Sequence, residues 1–151
     1  MSIANALFTP MTQECLDDVL RVEQAAYSHP WTRGNFQDSM LSGYHMLALH
    51  WGDELIGYYV AMRGVDEMHL LNITVAPSHQ GQGWGKHMLD MVCHYTRERR
   101  VSCLWLEVRR SNLRAIAIYQ KYGFLSVGDR KNYYPVSATE REDAIVMRIQ
   151  L

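Results

Sequence analysis

A mixed α/β domain in three layers is the fold class this sequence predicts, and three observations carry it. Strand-like apolar runs crowd the first half of the chain, and two amphipathic helical stretches cross between strands in the second half. A glycine-rich turn, Gln80 to Lys86, joins one apolar run to one of those helices. The layout lacks the regular strand–helix alternation of a doubly wound nucleotide-binding sheet.

Taken in order, Ala6 to Pro10 reads as a short first strand. Thr12 is placed to cap a helix, with Glu14 and Asp17 near its positive end. Cys15, Leu16, Val19, Leu20 and Val22 give that helix an apolar stripe running to about Tyr27, where His29-Pro30 stops it. Thr32 caps a second short helix through about Leu41, and Trp31 sits between the two as a packing plug or as a wall of an acceptor groove. Tyr44 to Trp51 and Glu54 to Arg63 read as strands joined by the turn pair Gly52-Asp53, with Gly57 marking a bulge or a close backbone approach. Asp66 to Ala76 follows as a strand, its Glu67, His69, Leu71, Ile73 and Val75 on one face. Past the glycine turn, Met88, Leu89, Met91, Val92, Tyr95 and Thr96 form the buried face of the next helix. Val101 to Val108 is so apolar that it reads as a central strand covered on both faces. Asn112 opens a helix carrying Ala115, Ile116, Ile118 and Tyr119 at helical spacing, and Gly123 ends it. Phe124 to Arg130 and Ala144 to Ile149 are the last strands, with Asn132 to Asp143 between them as a loop.

Composition bounds the function. The 151 residues make one domain, 1–151, large enough to bury a core without disulfides. A formal net charge of −1 offers no basic field, so nucleic acid is not expected as the main ligand. No apolar run approaches the roughly 20 residues of a membrane span, and the first residues lack a signal-peptide pattern, so a cytoplasmic protein with no membrane partner is expected. Cys15, Cys93 and Cys103 show no Cys-x-x-Cys spacing, which suits a reduced compartment, and the seven histidines form no i, i+4 pair, so no metal is expected.

The glycine turn is the first candidate site. A strand, a turn with few side chains and a helix start together make an anion site, because backbone N–H groups at the helix N-terminus lack partners and the macrodipole favours negative charge. The ATP-binding loop fails here: Gly85-Lys86 follows Gly81 too soon, and His87 stands where a hydroxyl is needed. The dinucleotide pattern fails as well, since Gly85 comes one residue early after Gly83. What remains is Gln80-x-x-Gly83-x-Gly85, a phosphate-binding turn or an ordinary one.

Glu107 is the most informative single residue. A carboxylate in so apolar a strand loses hydration and is a usable general base, directly or through a water; the plainer reading pairs it with Arg109 or Arg110 at the strand end. Asn112 and Tyr119 lie two helical turns apart on one face. A phenol, with an ordinary pKa near 10, is suited to protonating a departing thiolate. A capping Asn and a half-buried packing Tyr are the plainer readings. Cys93 and Cys103 read as small buried hydrophobes.

Several tracts together resemble one family. Asn72-Ile73-Thr74-Val75, Gln80 to Gly85, Leu104 to Arg109, Ser111-Asn112, Ala117-Ile118-Tyr119, Tyr122-Gly123-Phe124, Arg130 to Pro135 and Glu142 to Met147 are similar to the GNAT superfamily of acetyl-CoA-dependent N-acetyltransferases. The similarity runs from about Trp31 onward. The tracts Trp105 to Arg109 and Asn132 to Pro135 resemble its branch that acetylates the N-terminal alanine of a ribosomal protein, the eighteenth of the small subunit.

That resemblance implies the acyl-CoA N-acyltransferase fold, a mixed and mostly antiparallel central sheet flanked by helices. It implies acetyl-CoA as co-substrate, no metal, a ribosomal-protein N-terminal peptide as acceptor, and a monomer or weak dimer. It implies that Ile73, Thr74 and Val75 pair their backbone with the pantetheine arm and that the Val75 amide polarises the thioester carbonyl. Gln80, Gly81, Gln82, Gly83, Trp84, Gly85 and Lys86 would cradle the pyrophosphate, Asn112 would hold the pantetheine, Glu107 would be the base and Tyr119 the acid. The loop departs from the family in opening with Gln80 rather than Arg and in carrying Gly81 where a basic residue is common. Loss of that cation would weaken CoA binding by up to ~2 kcal/mol. Acceptors of other kinds, a small amine or a lysine side chain, and a non-catalytic acyl-CoA sensor remain open alternatives.

Overall fold

The computed structural model describes residues 3–151. Its seven-stranded sheet runs in the order β1-β2-β3-β4-β5-β7-β6, the strands being Leu7–Pro10 (β1), His45–Trp51 (β2), Glu54–Arg63 (β3), Met68–Val75 (β4), Cys103–Arg109 (β5), Leu125–Pro135 (β6) and Arg141–Gln150 (β7). The helices are Leu16–Ala26 (α1), Arg33–Leu41 (α2), Trp84–Glu98 (α3) and Leu113–Tyr122 (α4). β4 and β5 run parallel, while β1–β2, β2–β3, β5–β7 and β6–β7 are antiparallel. The expected mixed, mostly antiparallel sheet flanked by helices is the one observed. The chain forms two compact units. One comprises the chain up to Met62 with Leu71–Val92, the other Arg63–Leu70 with Cys93–Leu151.

In the first unit, Thr12 precedes a single 3₁₀ turn, Gln13–Cys15, so α1 begins at Leu16, with Asp17 and Asp18 in its first turn. Thr32 caps α2 as expected: its hydroxyl accepts from the Asn35 amide at 3.1 Å while its own amide donates to Asn35 Oδ1 at 2.9 Å. This reciprocal pair satisfies two otherwise orphaned donors. Leu16, Val19, Phe36, Met46, Ala48, Tyr58 and Val60 form the core. Trp31 packs its ring on Phe36 with centroids 5.1 Å apart, the packing role foreseen for it.

The buried stripe of α1 also contains a carboxylate. Glu23, 1% exposed, falls seven residues after Leu16 and therefore on the core face. It accepts from the Tyr58 hydroxyl at 2.7 Å, Asn72 Nδ2 at 3.1 Å and the Trp31 amide at 2.9 Å. Thr74 Oγ1 in turn donates to Asn72 Oδ1 at 2.7 Å, and the Tyr27 hydroxyl reaches Thr74 Oγ1 at 2.7 Å and the Ile73 carbonyl at 3.1 Å. Burial pushes the Tyr27 phenol up to about 12 and the Tyr58 phenol higher still, the charge of Glu23 adding to both, so each stays a neutral donor. The network fixes the last residues of β4.

Gly57 fulfils both of its readings. The register slips at Leu49/His50, which pair with Gly57 and Leu55 and leave Ile56 as an extra residue. A Cβ on Gly57 would lie 2.4 Å from the Thr74 carbonyl oxygen.

In the second unit, β5 has one fully covered face and one only partly covered, rather than two fully covered. Leu104, Leu106 and Val108 are buried, while Trp105, Glu107 and Arg109 alternate onto a partly exposed face. The apolar content of Val101 to Val108 concealed this because Trp105 is itself apolar. α4 has no fully buried residue, and Ile118 of its expected stripe is exposed. The expected loop from Asn132 is strand as far as Pro135, interrupted by a bulge: Arg130 pairs with Ala144 and Tyr134 with Glu142, so three residues face one. Asn132 takes a left-handed φ of 50° there, and Asp143 Oδ1 accepts from its amide at 3.0 Å. The Arg141 side chain binds the carbonyls of Asn132 and Tyr133, both at 2.8 Å.

Two stability predictions follow from these contacts. Glu23→Ala strands three donors in the core and should cost about 3–5 kcal/mol in urea unfolding, while Glu23→Gln, which keeps an acceptor, should cost less. Gly57→Ala drives a methyl into a backbone oxygen that cannot swing away, with an expected loss of about 1–3 kcal/mol in the same measurement.

Candidate active site

The glycine loop lies wholly in the first unit. β4 ends at Val75, a 3₁₀ turn Pro77–His79 follows, and α3 begins at Trp84. The turn is pinned by His79, buried, whose Nε2 meets Glu54 Oε1 at 2.7 Å. Gln80 reaches back to donate from Nε2 to the Val75 carbonyl at 3.2 Å, closing the loop onto the strand end. Gly81 and Gly83 take left-handed φ values of 78° and 89°, which a side chain would oppose. A Cβ on Gly81 would meet no atom within 4 Å, so the loop presents bare backbone.

The residues fit a phosphate-bearing ligand. The first N–H groups of α3 have no acceptor within the helix. The Lys86 ammonium, bound to Asp90 at 3.1 Å, is largely exposed in the first helical turn. Trp84 differs in role from the rest: its ring is buried and its Nε1 donates to Gln82 Oε1 at 3.2 Å, so only its backbone is on offer to a ligand.

Glu107, Asn112 and Tyr119 belong to the second unit. The Glu107 side chain is 5% exposed, as its strand position suggested, but neither arginine named from sequence pairs with it. Arg109 binds Glu142 and the Pro135 carbonyl, and Arg110 binds Asp129. Instead Arg130 Nε stands 2.5 Å from Glu107 Oε2 without hydrogen-bond alignment. His69 Nε2 stands 3.2 Å from Oε1, and the Tyr133 hydroxyl reaches Oε1 at 3.5 Å. Burial, and then the charge of Arg130, push the His69 imidazole down to about 4, so it is uncharged at neutral pH and its contact with Glu107 is not an ion pair. Burial and the nearby Glu107 charge raise the Tyr133 phenol.

The chain thus buries two carboxylates in different settings. Glu23 is held by three aligned donors, two on Oε1 and one on Oε2, and serves as a structural anchor. Glu107 has only long or misaligned neighbours and keeps acceptor capacity. That contrast separates a scaffold carboxylate from a candidate base.

Asn112 caps α4, its Oδ1 accepting from the Ala115 amide at 3.2 Å, which leaves its NH₂ group for other use. Tyr119 is half-buried on the same helix with its ring 5.6 Å from Phe124. Sequence reasoning missed His69, Arg130 and Tyr133 as neighbours of Glu107. The alternation of β4 placed His69 on a face, but its partner is defined only by the β4–β5 register.

Residues 16–124 match the model of the acetyltransferase (GNAT) family. The [ribosomal protein bS18]-alanine N-acetyltransferase of Haemophilus influenzae is 39% identical over 130 residues, covering 86% of this chain and 88% of that protein. Its counterpart in Haemophilus ducreyi is 33% identical over 141 residues, 93% and 97% of the two chains. The crystal structure of the ribosomal-protein-S18-alanine N-acetyltransferase from Escherichia coli superposes with a TM-score of 0.86 at 33% identity, covering 96% of this chain and 93% of that one. The chain belongs to the acetyltransferase (GNAT) family, whose members use acetyl-CoA.

Proposed function

We propose that this acetyltransferase transfers the acetyl group of acetyl-CoA to the N-terminal α-amine of a protein, the alanine of ribosomal protein bS18, with Glu107 as base and Tyr119 as acid. The observation that carries the catalytic part is the buried, under-satisfied carboxylate of Glu107. The acceptor rests on relatives of that name spanning nearly the whole chain.

The chemistry asks little of the base. An α-amine has an ordinary pKa of about 7.7–8.0, so a substantial fraction is protonated at neutral pH but the neutral form is readily reached, whereas a lysine near 10.4 would demand more. The neutral amine attacks, and Glu107 takes, directly or through a water, the proton its nitrogen sheds as the amide bond forms and the carbon–sulfur bond breaks. The Val75 amide donates to the thioester carbonyl oxygen as charge gathers there. Tyr119 gives its proton to the departing thiolate. Ile73 and Thr74 align the pantetheine through their backbone, Asn112 contributes its free NH₂, and the stretch Gln80 to Lys86 holds the pyrophosphate on backbone amides and the helix N-terminus. Glu107 becomes neutral and Tyr119 anionic, so each must exchange one proton with solvent before the next turnover.

With a hexapeptide that begins with alanine, Glu107→Gln should lower kcat at least about 100-fold while the acetyl-CoA affinity holds; an unimpaired variant would remove Glu107 from the mechanism. The same peptide with a blocked α-amine should be inert, and acetylation of a small amine in its place would overturn the acceptor. Gly83→Ala, forced into a left-handed φ, should raise the KM for acetyl-CoA about tenfold with kcat retained.

A further inference from the structure

Glu107 has a neighbour that none of the loop or strand motifs pointed to. His69 of β4 pairs in register with Trp105 of β5, so the two side chains share a sheet face. Their rings stack with centroids 3.7 Å apart and planes within 10°. Glu107 is two residues beyond Trp105 and on that same face, and its Oε1 stands 3.2 Å from His69 Nε2.

The stack matters for a carboxylate. An imidazole free to rotate about χ2 would hold a neighbour loosely, whereas one lying flat on an indole keeps its ring plane. The His69 side chain is 13% exposed, so water competes little for its nitrogen. Arg130, on the other carboxylate oxygen, is half exposed, and its guanidinium also faces the Trp105 and Tyr133 rings at 5.9 and 5.5 Å. Of the two, His69 is the rigid neighbour. The adjacent carboxylate favours the tautomer with hydrogen on Nε2, so the imidazole turns a donor nitrogen toward Oε1, the 3.2 Å contact lacking full hydrogen-bond alignment.

We infer that His69 is a positioning residue for Glu107: its imidazole, clamped on Trp105, anchors Oε1 and thereby sets the plane in which the carboxylate meets the acceptor amine. The inference rests on Glu107 being the base, and its test separates the two claims.

The experiment compares wild type, His69→Phe, His69→Gln, Glu107→Gln and the double variant E107Q/H69F with the alanine hexapeptide, measuring kcat, the KM for acetyl-CoA and thermal unfolding. His69→Phe keeps an aromatic ring on Trp105 but loses the donor. Its kcat should fall about tenfold with the KM for acetyl-CoA within about twofold. His69→Gln, which restores an N–H, should recover most of that loss. In the double variant the phenylalanine should cost nothing further, because it acts only through Glu107. Should the phenylalanine variant not fold, His69→Leu carries the same expectations. Wild-type kcat in His69→Phe, no recovery with Gln, or an additional tenfold loss in the double variant would overturn the inference while Glu107 stands. An unimpaired Glu107→Gln would remove the base and this inference together.

Discussion

The parallel ladder between β4 and β5 ends at Leu70 and Leu106, and the chemistry proposed for this chain depends on where it ends. Glu107 is the first β5 residue past the last pair, and Leu71 the first of β4. Strand backbone must find partners, and the residues Leu71 to Val75 continue without a β5 pair among the described residues. Among them are Ile73, Thr74 and Val75, whose backbone the proposal gives to acetyl-CoA. A strand end that the proposal gives to a ligand is best held by groups other than the backbone edge it offers. Here side chains do it: Asn72 and Thr74 are tied through Glu23 and Tyr27 to α1, and the Gln80 amide holds the Val75 carbonyl.

Charge placement follows the same division. Glu23 accepts from three donors and holds the scaffold. Glu107, on a face that is half covered, is surrounded by an uncharged imidazole, a phenol and one guanidinium at poor angles. Removing the first should cost stability; removing the second should cost rate.

Much of this was legible in the sequence, for identifiable reasons. The glycine spacing excluded two nucleotide loops, and Thr32 announced the cap of α2. β3 was bounded correctly because Gly52-Asp53 and Gly64 flank it. A lone acidic residue in an apolar strand drew attention to Glu107. What stayed hidden depends on register or on long-range pairing. The bulge after Arg130 exists because Asp143 and Arg141 satisfy the backbone of Asn132 and Tyr133 from across the hairpin. His69 meets Glu107 only through the three-pair ladder of β4 and β5. Glu23 went unnoticed on α1, since nothing local indicates that Tyr58, Asn72 and Trp31 converge on it. Apolar content also overstated burial, as the exposed flank of α4 and the half-open face of β5 show.

The proposal that this chain acetylates an N-terminal alanine is tested most directly by intact-protein mass spectrometry of the small ribosomal subunit from cells with and without it. The account predicts that bS18 alone becomes lighter by one acetyl group when the chain is absent, with the change at its N-terminal alanine. An unchanged bS18 mass, with a free or acetylated alanine in both strains, would contradict it.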